Sequence, residues 1–146
     1  MRYYSYEDFR IDTRVLIQNV RNLEVHSIVG IARGGLTLAH GMAEGLDIRE
    51  VQTLRTELYD KTNKRDSIQV FENCSFSPNT KVLVLDDIAD SGETLQNIME
   101  LLEDKYPQVE FLSATLFYKK TSKYKPDFWV QEANEWIEFF WEKDFL

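Results

Sequence analysis

Apolar positions along this chain switch repeatedly between helical spacing and short runs rich in branched side chains. Ser5 with Asp8 reads as a helix start, and Phe9, Val15, Leu16, Val20 and Leu23 supply an apolar face through Arg21. His26 to Ile31 is a short strand candidate. A second helix containing Leu36, Leu38, Ala39 and Met42 follows, with Gly45 expected to close it. Val51 to Leu58 reads as a strand, Tyr59 to Asp66 as a polar loop and Ser67 to Phe71 as the return strand. Val82-Leu83-Val84-Leu85 is continuously apolar rather than alternating, the pattern of a strand covered on both faces in a parallel sheet. Leu95, Ile98, Met99 and Leu102 then repeat at helical spacing, and Val109 to Tyr118 makes a further strand. Neither a Pro/Gly/Ser-rich linker nor an internal repeat interrupts this alternation, which predicts one α/β unit over residues 1–146.

Composition narrows the function classes. Hydrophobic residues at 43% and aromatics at 13% exclude a disordered chain, and 146 residues suffice to bury a core. No apolar run of about 18 residues is present, so no membrane span is expected. Met1 to Asp8 carries no apolar signal region, and the single cysteine, Cys74, has no partner for an internal disulfide; both fit a cytoplasmic protein. A formal charge of -8 argues against nucleic acid as a partner, because such binding draws its affinity from Lys and Arg neutralising phosphates.

The richest chemistry lies at the end of the continuous apolar run. Asp86 and Asp87 follow it, and Asp90-Ser91-Gly92-Glu93-Thr94 leads into the next helix. Ligands bind at the carboxyl ends of parallel strands. Ser91, Gly92 and Thr94 offer small side chains, two hydroxyls and backbone N–H groups at a helix start, where the dipole favours an anion. Carboxylates beside a phosphate cradle must serve another part of the ligand. Asp86 and Asp87 are placed to accept hydrogen bonds from sugar hydroxyls, or to hold Mg²⁺ shared with the ligand's phosphates. An EF-hand is excluded by Ile88 and Ala89 at ligand positions, and a Walker A loop by the absence of Gly-Lys-Ser/Thr.

A second strand-to-helix junction, Gly30 to Ala39, contains Ala32-Arg33-Gly34-Gly35. Its glycines allow close approach of a ligand, and Arg33 adds a fixed positive charge with several donors. Two further segments stand out: the polar stretch around Lys64 and Arg65, and the aromatic tail Trp136 to Glu142.

The segment VLVLDDIADSGETL resembles the phosphoribosyl pyrophosphate signature of type I phosphoribosyltransferases, in which an apolar strand runs into two acids and a Ser/Thr-Gly phosphate loop. Ala32-Arg33-Gly34-Gly35 is similar to the pyrophosphate loop of the bacterial xanthine-guanine members, although Ala32 stands where a serine is frequent. The resemblance implies a central, mostly parallel sheet flanked by helices, with a small base-binding hood over about residues 119–146. It implies that Arg33 and Gly34 meet the pyrophosphate and that Asp86 and Asp87 meet the ribose hydroxyls, with Asp87 also a ligand of Mg²⁺. Ser91, Gly92, Glu93 through its backbone N–H, and Thr94 would hold the 5′-phosphate, Ala89 and Asp90 would also belong to the phosphoribosyl pyrophosphate site, and Asp90 near the purine N7 is the general-base candidate.

Lys119 resembles the lysine that bonds the purine O6 in 6-oxopurine enzymes, Trp136 the aromatic that stacks on the ring, and Ile137 the main-chain contact to its other edge. Glu142 falls near an acid that helps choose the base. A flexible loop over about residues 59–66, with Lys64 and Arg65, would close on the pyrophosphate. The implied partners are phosphoribosyl pyrophosphate, a purine base and further copies of the chain in a homodimer or homotetramer. Two other readings stay open at this level: a non-catalytic sensor of phosphoribosyl pyrophosphate, and transfer to another acceptor such as adenine or orotate. Lys119 favours a 6-oxo over a 6-amino group, since an ammonium donates and cannot accept.

Overall fold

Two junctions, one after each of two neighbouring central strands, organise the molecule. The computed structural model describes the backbone of residues 1–61 and 65–146, and the side chains outside 59–67. The chain begins with β1 (Arg2–Tyr4), α1 (Tyr6–Val20), β2 (Ser27–Ala32), α2 (Leu36–Leu46), β3 (Val51–Lys61) and β4 (Arg65–Phe71). It continues with β5 (Lys81–Ala89), α3 (Glu93–Lys105), β6 (Glu110–Tyr118), β7 (Phe128–Glu132), β8 (Ile137–Phe139) and α4 (Phe140–Lys143).

The main sheet has the order β4-β3-β2-β5-β6-β7. All its neighbours are parallel except β3 and β4. From β2 the chain passes through α2 to one side, and from β5 through α3 to the other, so the winding reverses between β2 and β5. A crevice at the carboxyl ends of these strands is the usual ligand site of such a sheet. The register of β2 on β5, with Gly30 opposite Leu85, brings both sequence-predicted loops to that crevice.

The apolar run of β5 serves both faces of the sheet. Leu83 and Leu85 pack with Leu16, Leu38, Met42 and Leu116, while Val82 and Val84 pack with Leu95, Ile98 and Leu102 of α3. Side chains alternate across a strand, so a doubly covered strand must be apolar at every position. Helix α1 starts as its sequence predicts: the Ser5 hydroxyl accepts from the Asp8 N–H at 3.1 Å and the Asp8 carboxylate accepts from the Ser5 N–H at 3.3 Å.

Several expectations are corrected. Val15 lies on the exposed face of α1, and Ile17 is buried in its stead, in line with Phe9, Thr13, Leu16 and Val20. Gly45 does not close α2; it lies inside the helix, where a Cβ would collide with Ile17, and Asp47 at φ 55° forms the left-handed cap. The strands also reach further into the polar stretch than its composition suggests. Tyr59, Asp60 and Lys61 of β3 pair with Ser67, Asp66 and Arg65 of β4, because an antiparallel ladder is made by backbone groups that polar residues also carry. Lys64 lies outside the described residues.

The strands β1, β7 and β8 were not anticipated. β7 extends the main sheet, and β8 pairs in parallel with β1 in a separate two-stranded sheet, so the two ends of the chain meet. The aromatic tail is also less exposed than it reads. Phe139 is buried and stacks on Trp141 with ring centroids 4.7 Å apart, and Tyr4 packs edge-on against Phe139 and Phe117.

Candidate active site

Strand β5 delivers the two acids to the crevice floor. The Asp86 carboxylate accepts the Asp87 N–H at 2.9 Å, and Asp87 Oδ1 accepts the Ile88 N–H at 2.8 Å, so both side chains are held at the strand end. Burial pushes the Asp87 carboxyl up to about 6, against the pull of hydrogen bonds from its neighbours, and the charge of Glu142 adds to the rise. Burial, and next to it the charge of Asp87, raises Asp86 well above the ordinary carboxylate range. Hydroxyl donors or a cation between them would relieve both.

The loop after β5 makes the anion cradle. Gly92, at φ 84°, is the N-cap of α3, and the Ser91 hydroxyl accepts the Glu93 N–H at 3.2 Å. The turn after β6 supports the loop from beneath: the Lys123 N–H donates to the Ser91 carbonyl at 2.8 Å. A Cβ on Gly92 would collide with Ser122 and come within 2.6 Å of the Tyr124 nitrogen, so this position takes glycine for both its angle and its space. A cleft of about 180 Å³ runs along the loop, lined by Asp86 to Gly92, Thr94 and Leu95. The Ala89 carbonyl there accepts the Lys119 N–H at 3.1 Å. The Glu93 side chain turns outward to Lys123, 2.9 Å away, leaving its backbone N–H at the helix start.

The loop after β2 faces this cradle. The Ala32–Arg33 peptide is cis. Gly34 sits against the Asp87 carboxylate, which a Cβ would strike, while Gly35 is wedged against the Leu85 and Ile31 carbonyls. Arg33 and Gly34 share a cavity of about 890 Å³ with Asp86, Asp87 and Thr94. Thr37, Thr56, Trp141 and Glu142 also line it, together with Phe145 and Leu146.

A second cavity of about 250 Å³ adjoins the acids and contains Asp87, Asp90, Lys119, Trp136 and Ile137, with Glu135, Phe139 and Glu142. The Lys119 ammonium lies 2.9 Å from Asp90 Oδ1. Trp136 is 67% exposed at the rim, whereas Ile137 is buried in β8. Asp87 and Glu142 touch both cavities and so join them.

The fold therefore gathers the sequence-predicted residues into two connected spaces. Arg33, Gly34, Asp86, Asp87 and Thr94 form one; Asp90, Lys119, Trp136 and Ile137 the other. Arg65 opens β4, and the position of its side chain lies outside what is described, as does Lys64. Sequence reasoning missed Thr37, Thr56 and Lys123. Thr37 lies within the Gly30 to Ala39 junction but outside its Arg-Gly-Gly core, whereas Thr56 and Lys123 have no motif around them.

A family model described as the phosphoribosyl transferase domain matches residues 5–144. The chain belongs to the phosphoribosyltransferase family. Among curated relatives, a xanthine-guanine phosphoribosyltransferase of Idiomarina loihiensis is 29% identical over 144 residues, covering 96% of this chain and 86% of the relative. Another, from Cereibacter sphaeroides, is 30% identical and covers 94% and 84%. The solved xanthine-guanine-hypoxanthine phosphoribosyltransferase of Helicobacter pylori is 37% identical with a TM-score of 0.91, covering 99% of this chain and 95% of that one. A purine phosphoribosyltransferase from Pyrococcus horikoshii follows with 26% identity, a TM-score of 0.86 and coverage of 95% and 92%. The α/β architecture with its mostly parallel sheet is thus that of the type I phosphoribosyltransferases.

The acid pair of this phosphoribosyltransferase suits a hard divalent cation. Among the described residues no cluster of three or more metal-ligating side chains occurs. Mg²⁺ does not need one: it usually takes one or two carboxylates and completes its shell with water and substrate phosphates. Asp86 and Asp87, with both carboxyls raised chiefly by burial, are a matching donor set.

Proposed function

We propose that this phosphoribosyltransferase moves the 5-phosphoribosyl group from phosphoribosyl pyrophosphate to a 6-oxopurine, giving a nucleoside 5′-monophosphate and pyrophosphate in purine salvage. The observation that carries the reading is the Lys119–Asp90 pair on the wall of a small cavity bordered by Trp136 and Ile137, directly beside the acid pair. A planar base entering there would offer O6 to Lys119 and N7 to Asp90, stack on Trp136 and meet the main chain of Ile137. The relatives that share the fold at 37% and about 30% identity bear xanthine, guanine and hypoxanthine in their names, which supports the same acceptor class.

In this reading the bond from ribose C1 to pyrophosphate oxygen breaks as the purine nitrogen bonds C1. The proton lost by the purine passes to Asp90 or to water it orients. Asp86 and Asp87 hold the ribose hydroxyls while C1 carries positive charge, and their own negative charge favours that state. Ser91, Gly92, the Glu93 N–H and Thr94 bind the 5′-phosphate. Arg33 and Gly34 receive the pyrophosphate, with Lys64 and Arg65 assigned to the same group. Asp87 would hold Mg²⁺, which when bound would supply positive charge to the departing pyrophosphate. Cytoplasmic location and a homodimer or homotetramer belong to the same proposal.

The test is product formation. Purified protein with Mg²⁺ and phosphoribosyl pyrophosphate is incubated separately with guanine, hypoxanthine, xanthine, adenine and orotate, and nucleotides are separated by chromatography. Product from 6-oxopurines alone, and its loss on chelation of the metal, is the expected result. Product from adenine or orotate, or none from any base despite binding of phosphoribosyl pyrophosphate, would overturn the assignment.

A further inference from the structure

Strand β8 carries Ile137 and follows directly on Trp136, so the base cavity is only as well defined as β8 itself. It is three residues long, and among the described residues its one ladder partner is the equally short β1, with Arg2 opposite Ile137 and Tyr4 opposite Phe139. A ladder of this size has little stability of its own. Beyond the burial of Ile137 and Phe139 in the core, the backbone of β8 is therefore held through whatever holds β1.

What holds β1 is a partly buried polar chain made of residues outside both cavities. The Arg2 N–H donates to the Trp136 carbonyl at 2.9 Å, and the Arg2 guanidinium donates to Gln131 Oε1 of β7 at 2.8 Å. Gln131 Nε2 donates to Asp12 Oδ2 of α1 at 2.6 Å, and the fully buried Tyr4 hydroxyl donates to the same oxygen at 2.6 Å. The guanidinium also lies over the Phe117 ring, 5.4 Å from its centroid. Asp12 is thus the hub that fastens β1 to α1 and, through Gln131, to the main sheet. A carboxylate accepting two short hydrogen bonds where it is 7% exposed is a costly arrangement unless every partner is present.

We propose that Arg2, Tyr4, Asp12 and Gln131 are positioning residues for the purine, acting through β8 on Trp136 and Ile137 without touching the substrate. The proposal rests on the assignment of the second cavity to the base. The residues assigned to phosphoribosyl pyrophosphate lie on β2, β5 and the loops after them, and that cavity is tied to β8 only through the tail beyond it, at Trp141 and Glu142, so the network acts more strongly on the purine than on the other substrate.

Arg2→Met removes the guanidinium but keeps an apolar stem on Phe117, Tyr4→Phe removes one hydroxyl, and Arg2→Lys restores a donor. In the full chain, Arg2→Met and Tyr4→Phe should each raise KM for guanine about five- to tenfold, the effect of one lost buried hydrogen bond. KM for phosphoribosyl pyrophosphate should stay within about twofold, and Arg2→Lys should recover part of the loss. Amide hydrogen exchange over residues 136–139 should quicken in Arg2→Met while that of β5 does not change; this needs no turnover. Equal rises in both KM values, or unaltered exchange over 136–139, would overturn the proposal. Failure of the unaltered protein to turn over any base would instead overturn the assigned reaction, and the exchange measurement would still show whether Arg2 holds β8.

Discussion

The Lys119 ammonium and the Asp90 carboxylate stand 2.9 Å apart across the mouth of the base cavity, with both side chains partly open to water. An ion pair so exposed is worth no more than about 1 kcal/mol, so a ligand can separate it at little cost. Under the proposed reaction both partners would then gain: the ammonium a purine carbonyl oxygen, and the carboxylate a ring nitrogen that carries a proton. In the empty site the pair keeps the two groups in place.

Replacing Asp90 by Asn separates its two roles. Asn retains the shape and a hydrogen-bonding oxygen but cannot take a proton. Turnover should fall by about 10²–10⁴, the range for loss of a general base, while affinity for phosphoribosyl pyrophosphate changes by a few-fold at most. Steady-state rates together with calorimetric binding check this, and equal losses in both would remove Asp90 from the base role.

The raised carboxyl of Asp87 gives a stability effect with a definite sign. Between the ordinary value of 3.8 and about 6, the folded chain keeps a proton that the unfolded chain has lost. Stability of the empty protein therefore declines as pH rises through that window and stays reduced above it. Asp87→Asn should stabilise the empty protein above pH 6 by something on the order of 2 kcal/mol, with the gain vanishing below about pH 4. Activity should behave oppositely: kcat/KM for phosphoribosyl pyrophosphate in the unaltered protein rises with pH and levels off above about 6, as Asp87 ionises. Thermal melts and rates over the same buffers test both halves, and a variant no more stable at pH 8 than the parent would contradict the account.

The adjacent glycines of the second loop should fail in different ways. A Cβ on Gly34 meets the Asp87 side chain, whereas one on Gly35 meets the backbone carbonyls of Leu85 and Ile31. Gly35→Ala should lower stability by about 1–3 kcal/mol, since two central strands would have to move apart. Gly34→Ala should displace a carboxylate and lower activity with a smaller change in melting temperature. The two variants compared by melting and by turnover decide the matter, and a larger stability loss at Gly34 would reverse the assignment.

The chemistry of the site was legible wherever it is written in consecutive residues. Asp86 to Thr94 form a strand end, a turn and a helix start, and Arg33-Gly34-Gly35 form another, so local sequence carries both the shape and the donors. Alternating strands and helices imply a parallel sheet, but the reversal of winding between β2 and β5 that brings the loops together is seen only in the strand order. By contrast, β1 and β8 left no pattern. A three-residue strand shows no periodicity, and its partner lies at the other end of the chain. Nothing in the sequence singles out Asp12 or Gln131, for the same reason: their contact spans 119 positions of sequence. The tail aromatics look alike in sequence whether they cover a core or an interface, and here Tyr4, Phe117 and Phe139 supply the core.

Within that tail, exposure separates recognition from stability. Trp136 is 67% exposed and Phe139 is 3% exposed, yet both line the base cavity. Trp136→Ala removes a ring that holds little of the fold, so melting should shift by less than about 1 kcal/mol in equivalent stability. KM for the purine should rise by about tenfold or more, the worth of one stacked ring. Phe139→Ala deletes a ring packed against Tyr4, Phe117 and Trp141, and should cost about 3–5 kcal/mol of stability. Trp136→Phe keeps a stacking surface and should recover most of the purine affinity. Denaturant melts and guanine-dependent rates on the three variants make the comparison. A Trp136→Ala protein with unchanged KM would show that the exposed ring plays no part in holding the base, and would leave recognition to Lys119 and the main chain of Ile137.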